Sequence, residues 1–310
     1  MNTRAQPTPR RAVHGVLLLD KPVGLTSNQA LQRAKRLLRA EKAGHTGTLD
    51  PLAGGLLPIC FGAATKFAQA CLDADKRYRA TLALGERTAS GDRETSVIER
   101  HDVAVDRATI DTALQRFTGT IEQVPPMHSA LKKDGKALYD YARAGVELER
   151  APRRVTIHRI DLVSWDGSEL VLDVACSKGT YVRTLADDIG QALGCGAHLA
   201  ALRRTGAGAL DVRDAVTPDA LEAMPESGRT ALLKPTDCLL ADWPVVRLDA
   251  DDAGRFLSGL RRRIGGGDAA AVRVYGREPD AFLGSAHISA GELIADRLLS
   301  PHEVQATIAA

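Results

Sequence analysis

The sequence lacks any long hydrophobic run. Its 310 residues contain no continuously apolar window of 18 residues, and the most apolar uncharged stretch, residues 51–65, is interrupted by glycine and proline. A helix that spans a membrane needs about 20 apolar residues, so we expect no transmembrane segment. The basic start, residues 1–13, leads into no apolar stretch of signal-peptide length, and we therefore expect no export.

Cysteine is scarce and unpaired in the sequence. There are five cysteines, an odd number, and none belongs to a C-x-x-C motif. This pattern is typical of reduced thiols in the cytoplasm and predicts neither a disulfide framework nor a zinc site. The eight histidines form no H-E-x-x-H or other paired ligand spacing, so we expect no catalytic metal.

Common catalytic and nucleotide-binding motifs are also missing. G-x-S-x-G and the P-loop do not occur, and two G-x-G patterns, residues 194–196 and 206–208, lack the strand and spacing of a dinucleotide site. We therefore expect no organic or nucleotide cofactor. The composition, with 44% apolar, 26% charged and 4% aromatic residues, excludes wholesale disorder, collagen and coiled coil.

The net charge of +2 hides an uneven distribution. Residues 1–200 carry a net charge of +5 and residues 201–310 a net charge of −3. Within residues 126–160, eight basic side chains face four acidic ones. Such a segment indicates a surface for a polyanion, although an ordinary solvated loop and helix face explains the charge equally well.

Short apolar patterns alternate irregularly between strand and helix spacing. Strands are predicted at residues 16–19, 78–84, 155–163 and 170–176, and helices at 30–38, 103–117 and 177–193. Because these do not follow a regular βα alternation, we predict an α+β fold. From residue 245 onward, one short helix and the strand-like pieces 272–275, 281–284 and 285–288 indicate a small β-rich domain.

Residues 44–58 are rich in glycine, threonine and proline, and we expect a shaped loop rather than a helix or a central strand. The loop holds one acid, Asp50, among apolar residues. A buried carboxylate is costly without compensation, so a partner cation is expected elsewhere in the chain. On composition alone, an acid that only shapes the turn remains an alternative.

This loop, GHTGTLDPLAGGLLPICFGAATKF, resembles the catalytic segment of the TruB-type tRNA pseudouridine synthases. Further stretches resemble the same family in the same order: residues 15–27, 73–88, 125–145, 152–157, 176–190 and 197–208. The resemblance implies a catalytic fold with a mixed, largely antiparallel sheet. The domains would be a flexible basic arm at 1–12, a catalytic domain at 13–240 with a basic thumb-like insertion at about 125–154, and a PUA-like RNA-binding domain at 245–310.

The resemblance implies that Asp50 is the nucleophile that forms a covalent adduct while the glycosidic bond is cleaved. Arg183 would be its ion-pair partner, because a guanidinium pairs with a carboxylate and keeps its proton. Tyr78 would stack on the target base and take part in proton removal at C5. Tyr181 and Leu202 would line the pocket, with simple core packing as the alternative for each of these three.

Other positions would contact or shape the RNA site. His45 would lie where flipped nucleotides leave the stack, and Lys21 would shape the floor of the site. Asp92 is retained in a loop whose residues Ala89 and Thr95 depart from the family pattern of an acid and a turn glycine. The thumb-like insertion would neutralise phosphates, through Lys132, Lys133, Lys136, Arg153 and Arg154. In the PUA-like domain, Arg261, Arg262 and Arg263 would form an RNA-facing edge.

The resemblance, together with the sequence features above, implies a cytoplasmic, monomeric enzyme that isomerises uridine to pseudouridine at position 55 in the TΨC arm of tRNA. It would need no cofactor and no metal, and its partner would be the tRNA T stem-loop. Three alternatives stay open: an RNA-binding protein without activity, a synthase for another uridine, and a hydrolase that releases uracil.

Overall fold

The structure, a computed structural model, describes residues 9–129, 131–265 and 267–308. The described strands are β1 (Gly15–Lys21), β2 (Ala43–His45), β3 (Ala53–Phe61), β4 (Lys76–Leu84), β5 (Glu86–Thr88), β6 (Val97–Arg100), β7 (Gly119–Gln123), β8 (Lys132–Lys133), β9 (Lys136–Ala137), β10 (Arg153–Trp165), β11 (Glu169–Cys176), β12 (Ala197–Ala207), β13 (Leu210–Asp211), β14 (Val245–Leu248), β15 (Arg262–Arg263), β16 (Ala269–Arg277), β17 (Asp280–Ser289) and β18 (Glu292–Leu298).

The described helices are α1 (Ser27–Leu37), α2 (Ala68–Asp73), α3 (Arg107–Arg116), α4 (Leu138–Arg143), α5 (Val182–Ala192), α6 (Pro218–Ala223), α7 (Glu226–Ala231), α8 (Ala250–Leu257) and α9 (Pro301–Ile308). Short 3-10 helices occupy Gly62–Phe67, Val212–Asp214 and Thr236–Leu240. The predicted strands and helices of the preceding section all fall within these elements, apart from helix ends. The pieces at 281–284 and 285–288 form a single strand, β17.

The chain forms two compact units. The second unit comprises Asp50–Gly55 and Ala74–Ala207, and the first comprises the other described residues. This division does not follow the predicted domain bounds, which stay a prediction. Of the predicted arm, residues 1–8 lie outside the described residues, whereas Arg11 bonds to Thr230 Oγ1 and to the carbonyl oxygen of Leu38.

The second unit is built on a mixed sheet in the order β3–β12–β4–β11–β10–β7. The start of β3, residues 53–55, pairs with β12 in parallel, and the remaining pairs are antiparallel. Helices α3 and α5 pack on this sheet through a buried apolar cluster that includes Leu82, Ile110 and Ile189. The predicted α+β class with a largely antiparallel sheet is confirmed.

Strand β3 corrects the expectation of a loop at residues 44–58. Residues 53–61 form a fully buried strand despite Gly54, Gly55 and Pro58. Gly55 has φ +96°, and a Cβ atom there would lie 2.3 Å from the carbonyl oxygen of Arg204 on β12. Glycine is therefore required because the two strands approach closely, not because the chain turns.

The first unit begins with the buried strand β1 and helix α1. Thr26 caps α1 because its hydroxyl accepts a hydrogen bond from the backbone N–H of Gln29. The side-chain oxygen of Gln29 in turn accepts a hydrogen bond from the backbone N–H of Thr26. This is a capping box. Arg33, on the basic face of α1, pairs with Asp219 and Glu222, so part of that face is neutralised within the protein.

The C-terminal part of the first unit is a five-stranded sheet in the order β14–β16–β17–β18–β15. It packs Phe282 edge-on against Phe67, with ring centroids 5.1 Å apart. The predicted β-rich C-terminal domain is thus confirmed. Two of the three arginines predicted as an RNA-facing edge are paired with acids: Arg261 with Glu292 and Arg262 with Asp252.

Three further observations concern the described residues as a whole. No helix among them combines the length and the apolar character needed to cross a membrane. No cluster of three or more His, Cys, Asp or Glu side chains among them could hold a metal ion. All five cysteines are free, and four are buried.

Asp188, on α5, gives a pH-dependent contribution to stability. Burial, together with the neighbouring Asp187, raises the pKa of Asp188 to about 6. An unfolded Asp ionises at lower pH than Asp188 in the folded state. The free energy of unfolding therefore decreases as the pH rises toward 6, and the contribution of Asp188 stays constant at higher pH. We expect Asp188→Asn to stabilise the protein by up to about 2 kcal/mol near pH 7.5 and by much less near pH 4.5, after allowance for solvent screening.

Urea unfolding of Asp188→Asn and wild type at both pH values tests this. Asp102→Asn serves as control, because this side chain is exposed to solvent. An equal effect of Asp188→Asn at both pH values would contradict the assignment.

Candidate active site

Asp50 lies against a buried arginine in the second unit. Arg183 belongs to the first turn of α5, and its Nη2 atom lies 3.1 Å from Asp50 Oδ2. The Arg183 side chain is 7% exposed and that of Asp50 is 41% exposed. The structure therefore contains the expected cation partner, but the expectation that the carboxylate itself is packed among apolar groups is wrong. The turn closed by the Ala53 N–H bond to the Asp50 carbonyl leaves the carboxylate at the surface.

The same guanidinium serves a second carboxylate. Arg183 Nη1 lies 3.5 Å from Asp92 Oδ2, and Nη2 donates a 2.7 Å hydrogen bond to the carbonyl oxygen of His128. Asp92 is 2% exposed. One buried cation is thus shared between a buried carboxylate and an open one. This position favours a structural role for Asp92 over the predicted contact with RNA.

The loop that carries Asp92 is held by its own hydroxyl groups. Ser90 Oγ donates to Asp92 Oδ1 at 2.6 Å, and the N–H of Glu94 donates to the same oxygen at 3.1 Å. Thr95, one of the two departures from the family pattern, accepts a hydrogen bond from the N–H of Ser90. A hydroxyl therefore supports the turn where the family pattern has glycine, and Asp92 keeps its orientation.

Tyr78, on β4, lies opposite Arg204 on β12. Its ring is half-buried and packs against the apolar cluster, and its hydroxyl is hydrogen-bonded by Arg204, a side chain only 1% exposed. Burial raises the pKa of Tyr78, and the nearby Arg204 cation opposes this. Leu202, on the same strand, is half-buried and packs against the same cluster.

Arg204 lies in residues 197–208, one of the stretches that resemble the family, and the sequence predicts no role for it. Neighbouring side chains of a strand point to opposite faces, so one of Arg203 and Arg204 had to face inward. Arg203 is exposed and Arg204 is buried. The adjacent pair of arginines in an apolar strand was thus the signal that could have identified it.

Tyr181 is held through its backbone at the start of α5. It occupies the N-cap position, and its side chain makes no capping hydrogen bond. The side-chain amide of Gln123 accepts from the Tyr181 N–H at 3.0 Å and donates to the Tyr181 carbonyl at 3.3 Å. Sequence reasoning missed Gln123, because nothing in the sequence marks a glutamine whose partner is backbone.

His45 and Lys21 belong to the first unit. His45 ends β2 and pairs with Ile59 of β3. Lys21 is fully buried at the end of β1, and its Nζ donates to the carbonyl oxygens of Pro22 and Leu25. Lys21 therefore fixes the turn that leads to α1; its predicted role at the floor of the site stays a prediction.

The basic insertion presents its charges to solvent. Strands β8 and β9 form a hairpin around Asp134 and Gly135, which both have positive φ, as a type I′ turn requires. Arg153 and Arg154 open β10, and Arg154 lies 3.8 Å from Glu122. The exposed cations of this segment include all five predicted phosphate contacts, Lys132, Lys133, Lys136, Arg153 and Arg154, and also Arg143.

Comparison with known proteins gives a consistent result along the whole chain. Residues 35–182 match the TruB family pseudouridylate synthase N-terminal domain, residues 183–241 the tRNA pseudouridylate synthase B C-terminal domain, and residues 244–299 the C-terminal domain of pseudouridine synthase II TruB. The fold is also similar to a chain in the crystal structure of a Cbf5-Nop10-Gar1 complex, with a TM-score of 0.73, 24% identity, and coverage of 98% of this chain and 94% of that one.

Two curated relatives are similar over nearly their full length. Both are tRNA pseudouridine synthase B: that of Burkholderia lata is 58% identical, covering 94% of this chain and 92% of the relative. That of Verminephrobacter eiseniae is 56% identical, covering 99% of this chain and 94% of the relative. The chain therefore belongs to the TruB family of pseudouridine synthases.

Proposed function

We propose that the chain isomerises uridine to pseudouridine at position 55 in the T arm of tRNA, with Asp50 as the nucleophile. The observation that carries the proposal is the ion pair of a 41% exposed carboxylate with a buried arginine, 3.1 Å apart. A carboxylate attacks only as an anion, and Arg183 pairs with Asp50 without covering it. Relatives that act on tRNA, by their names, share more than half of the residues.

The reaction breaks the bond between N1 of uracil and C1′ of ribose and makes a bond from C5 to C1′. N1 gains a proton and C5 loses one, so the isomerisation is redox-neutral. Asp50 adds to the nucleotide at C1′ or at C6, and the base detaches, rotates and rejoins through C5. A target base inside an RNA stem is inaccessible, so it must flip out of the stack.

Tyr78 and Leu202 provide the surface against which the flipped uracil stacks. The Tyr78 hydroxyl is oriented by its bond to Arg204, and burial raises its pKa. On this proposal, Tyr78 orients the base and accepts the C5 proton as a phenolate, the form that the Arg204 cation stabilises, and the transfer returns it to the phenol. Tyr181, the residue immediately before α5, lines one side of the pocket.

Replacing the nucleophile tests the proposal directly. We expect Asp50→Asn to lower turnover by roughly 10³-fold or more, because an amide is not a nucleophile here, and to change RNA affinity by a few fold at most. The measurement is release of tritium from a T-arm stem-loop RNA labelled at C5 of the target uridine, in EDTA. Asp219→Asn is the control.

The outcomes separate the alternatives. Comparable turnover by Asp50→Asn would contradict its role as nucleophile. Tight binding without tritium release by wild type would favour a protein without activity or another target uridine, which a panel of RNAs would identify. Release of free uracil would identify a hydrolase.

The basic hairpin is proposed to bind phosphates of the stem-loop. We expect that replacing Lys132, Lys133 and Lys136 together by alanine weakens binding, with little loss of turnover at saturating RNA. The slope of log affinity against log salt should become shallower by about 2 to 3, since each phosphate contact contributes about 0.7 to 0.9. Filter binding over a salt series measures this.

The matched control neutralises three exposed arginines elsewhere in the second unit, Arg100, Arg107 and Arg116. An equal change of slope in this control would show a general charge effect and contradict a specific phosphate contact of the hairpin.

Arg183 is proposed to hold both carboxylates. Arg183→Met should abolish tritium release and destabilise the protein by about 3 to 5 kcal/mol, because it leaves buried Asp92 without its cation. Adding Asp92→Asn should recover part of the stability but none of the activity. Urea unfolding of the two single variants and the double variant tests this, and strictly additive destabilisation would contradict the shared ion pair.

A further inference from the structure

Gln123 lies where the basic insertion leaves the sheet. It ends β7, stands opposite Arg153 at the start of β10, and is 2% exposed. The insertion, residues 125–154, therefore departs from the sheet directly after Gln123 and returns to it beside Gln123. A buried amide at this position is costly unless both of its polar atoms are bonded.

Both polar atoms of the Gln123 amide bond to one residue, Tyr181, by accepting from its N–H and donating to its carbonyl. The two bonds reproduce the pairing that an adjacent strand would give. Because Tyr181 precedes α5 and provides no side-chain cap, this pairing fixes how the chain enters the helix. Gln123 and Tyr181 are 58 residues apart in sequence, so the contact joins two distant segments.

The same helix turn carries the cation of the site. Arg183 follows Tyr181 by two residues and reaches Asp50 at 3.1 Å. It also donates to the carbonyl oxygen of His128, five residues after Gln123, at 2.7 Å. The segment 123–128 thus contacts the start of α5 at two residues, Tyr181 and Arg183.

We propose that Gln123 is a positioning residue for catalysis, which holds Tyr181 and Arg183 in register with Asp50 and ties them to the base of the RNA-binding insertion. The inference rests on the proposed function of Asp50 and Arg183. Gln123 touches neither the substrate nor Asp50; it acts through the backbone at the start of α5. Losing the amide therefore moves the pocket wall and the cation together, while the exposed cations of the insertion remain.

The test uses Gln123→Met, which keeps the length of the side chain and removes both hydrogen bonds. We expect the single-turnover rate of tritium release at saturating RNA to fall by about 10-fold or more, since small misplacements of catalytic groups have large effects. The dissociation constant for the stem-loop should change by less than about 3-fold, because the phosphate contacts of the insertion are retained.

A control separates positioning from loss of stability. Asp106 caps α3, on the same sheet, by accepting hydrogen bonds from the N–H and the hydroxyl of Thr109. Asp106→Ala should lower the melting temperature, because it removes a helix cap, and leave the rate of tritium release unchanged. A rate loss in Asp106→Ala similar to that in Gln123→Met would overturn the positioning role.

Gln123→Glu provides a second variant if Gln123→Met does not fold. Its carboxylate still accepts from the Tyr181 N–H but cannot donate to the carbonyl, so the rate should fall at nearly unchanged affinity. A folded variant of either kind with the wild-type rate, or with a loss confined to affinity, overturns the proposal. The rates of tritium release by wild type and Asp50→Asn are measured in the same experiment. If these two rates do not differ, the proposed function fails. If they differ while the Gln123 variants have the wild-type rate, only the inference about Gln123 fails.

Discussion

A buried guanidinium needs anionic partners. In the second unit, the guanidinium of Arg183 has two, because it is shared between two carboxylates. Arg183 contacts Asp50 and Asp92, of which Asp92 is buried and fixed by Ser90 and Glu94. The cation therefore stays compensated whatever happens at Asp50. The turn before β3, the loop around Asp92 and the first turn of α5 all depend on this shared ion pair, because each provides one of its groups.

A second constraint is the close approach of strands beside the pair. Gly55 on β3 and Tyr78 on β4 both lie opposite Arg204 on the intervening strand β12. With φ +96° and no Cβ, Gly55 lets the β12 backbone come close, and the buried Arg204 side chain reaches the Tyr78 hydroxyl. Sheet register thus places Tyr78 level with Gly55, with β12 between the two strands.

Local features of the structure could be predicted where a residue and its interaction partner are close together in the sequence. Thr26 and Gln29 cap α1 within three residues, and the alternation around Tyr78 gives a strand. Strand β3 could not be predicted, because Gly54, Gly55 and Pro58 signal a turn, while the reason for glycine is a strand more than 140 residues away. The pair of Asp50 with Arg183 came from resemblance to a family; the sharing with Asp92 and the Gln123 clamp are tertiary contacts without a local pattern.

The sharing has a consequence for the proposed chemistry. When Asp50 forms a covalent bond to the nucleotide, it loses its negative charge, and a guanidinium with a single partner would then be buried and uncompensated. Asp92 and the carbonyl oxygen of His128 also contact Arg183, so on the proposed chemistry the cation has another anionic partner when the adduct forms. The same arginine then favours the return of the charge to Asp50 as the carboxylate leaves. One exposed and one buried carboxylate on the same arginine thus suit a nucleophile that must give up its charge and recover it in each turnover.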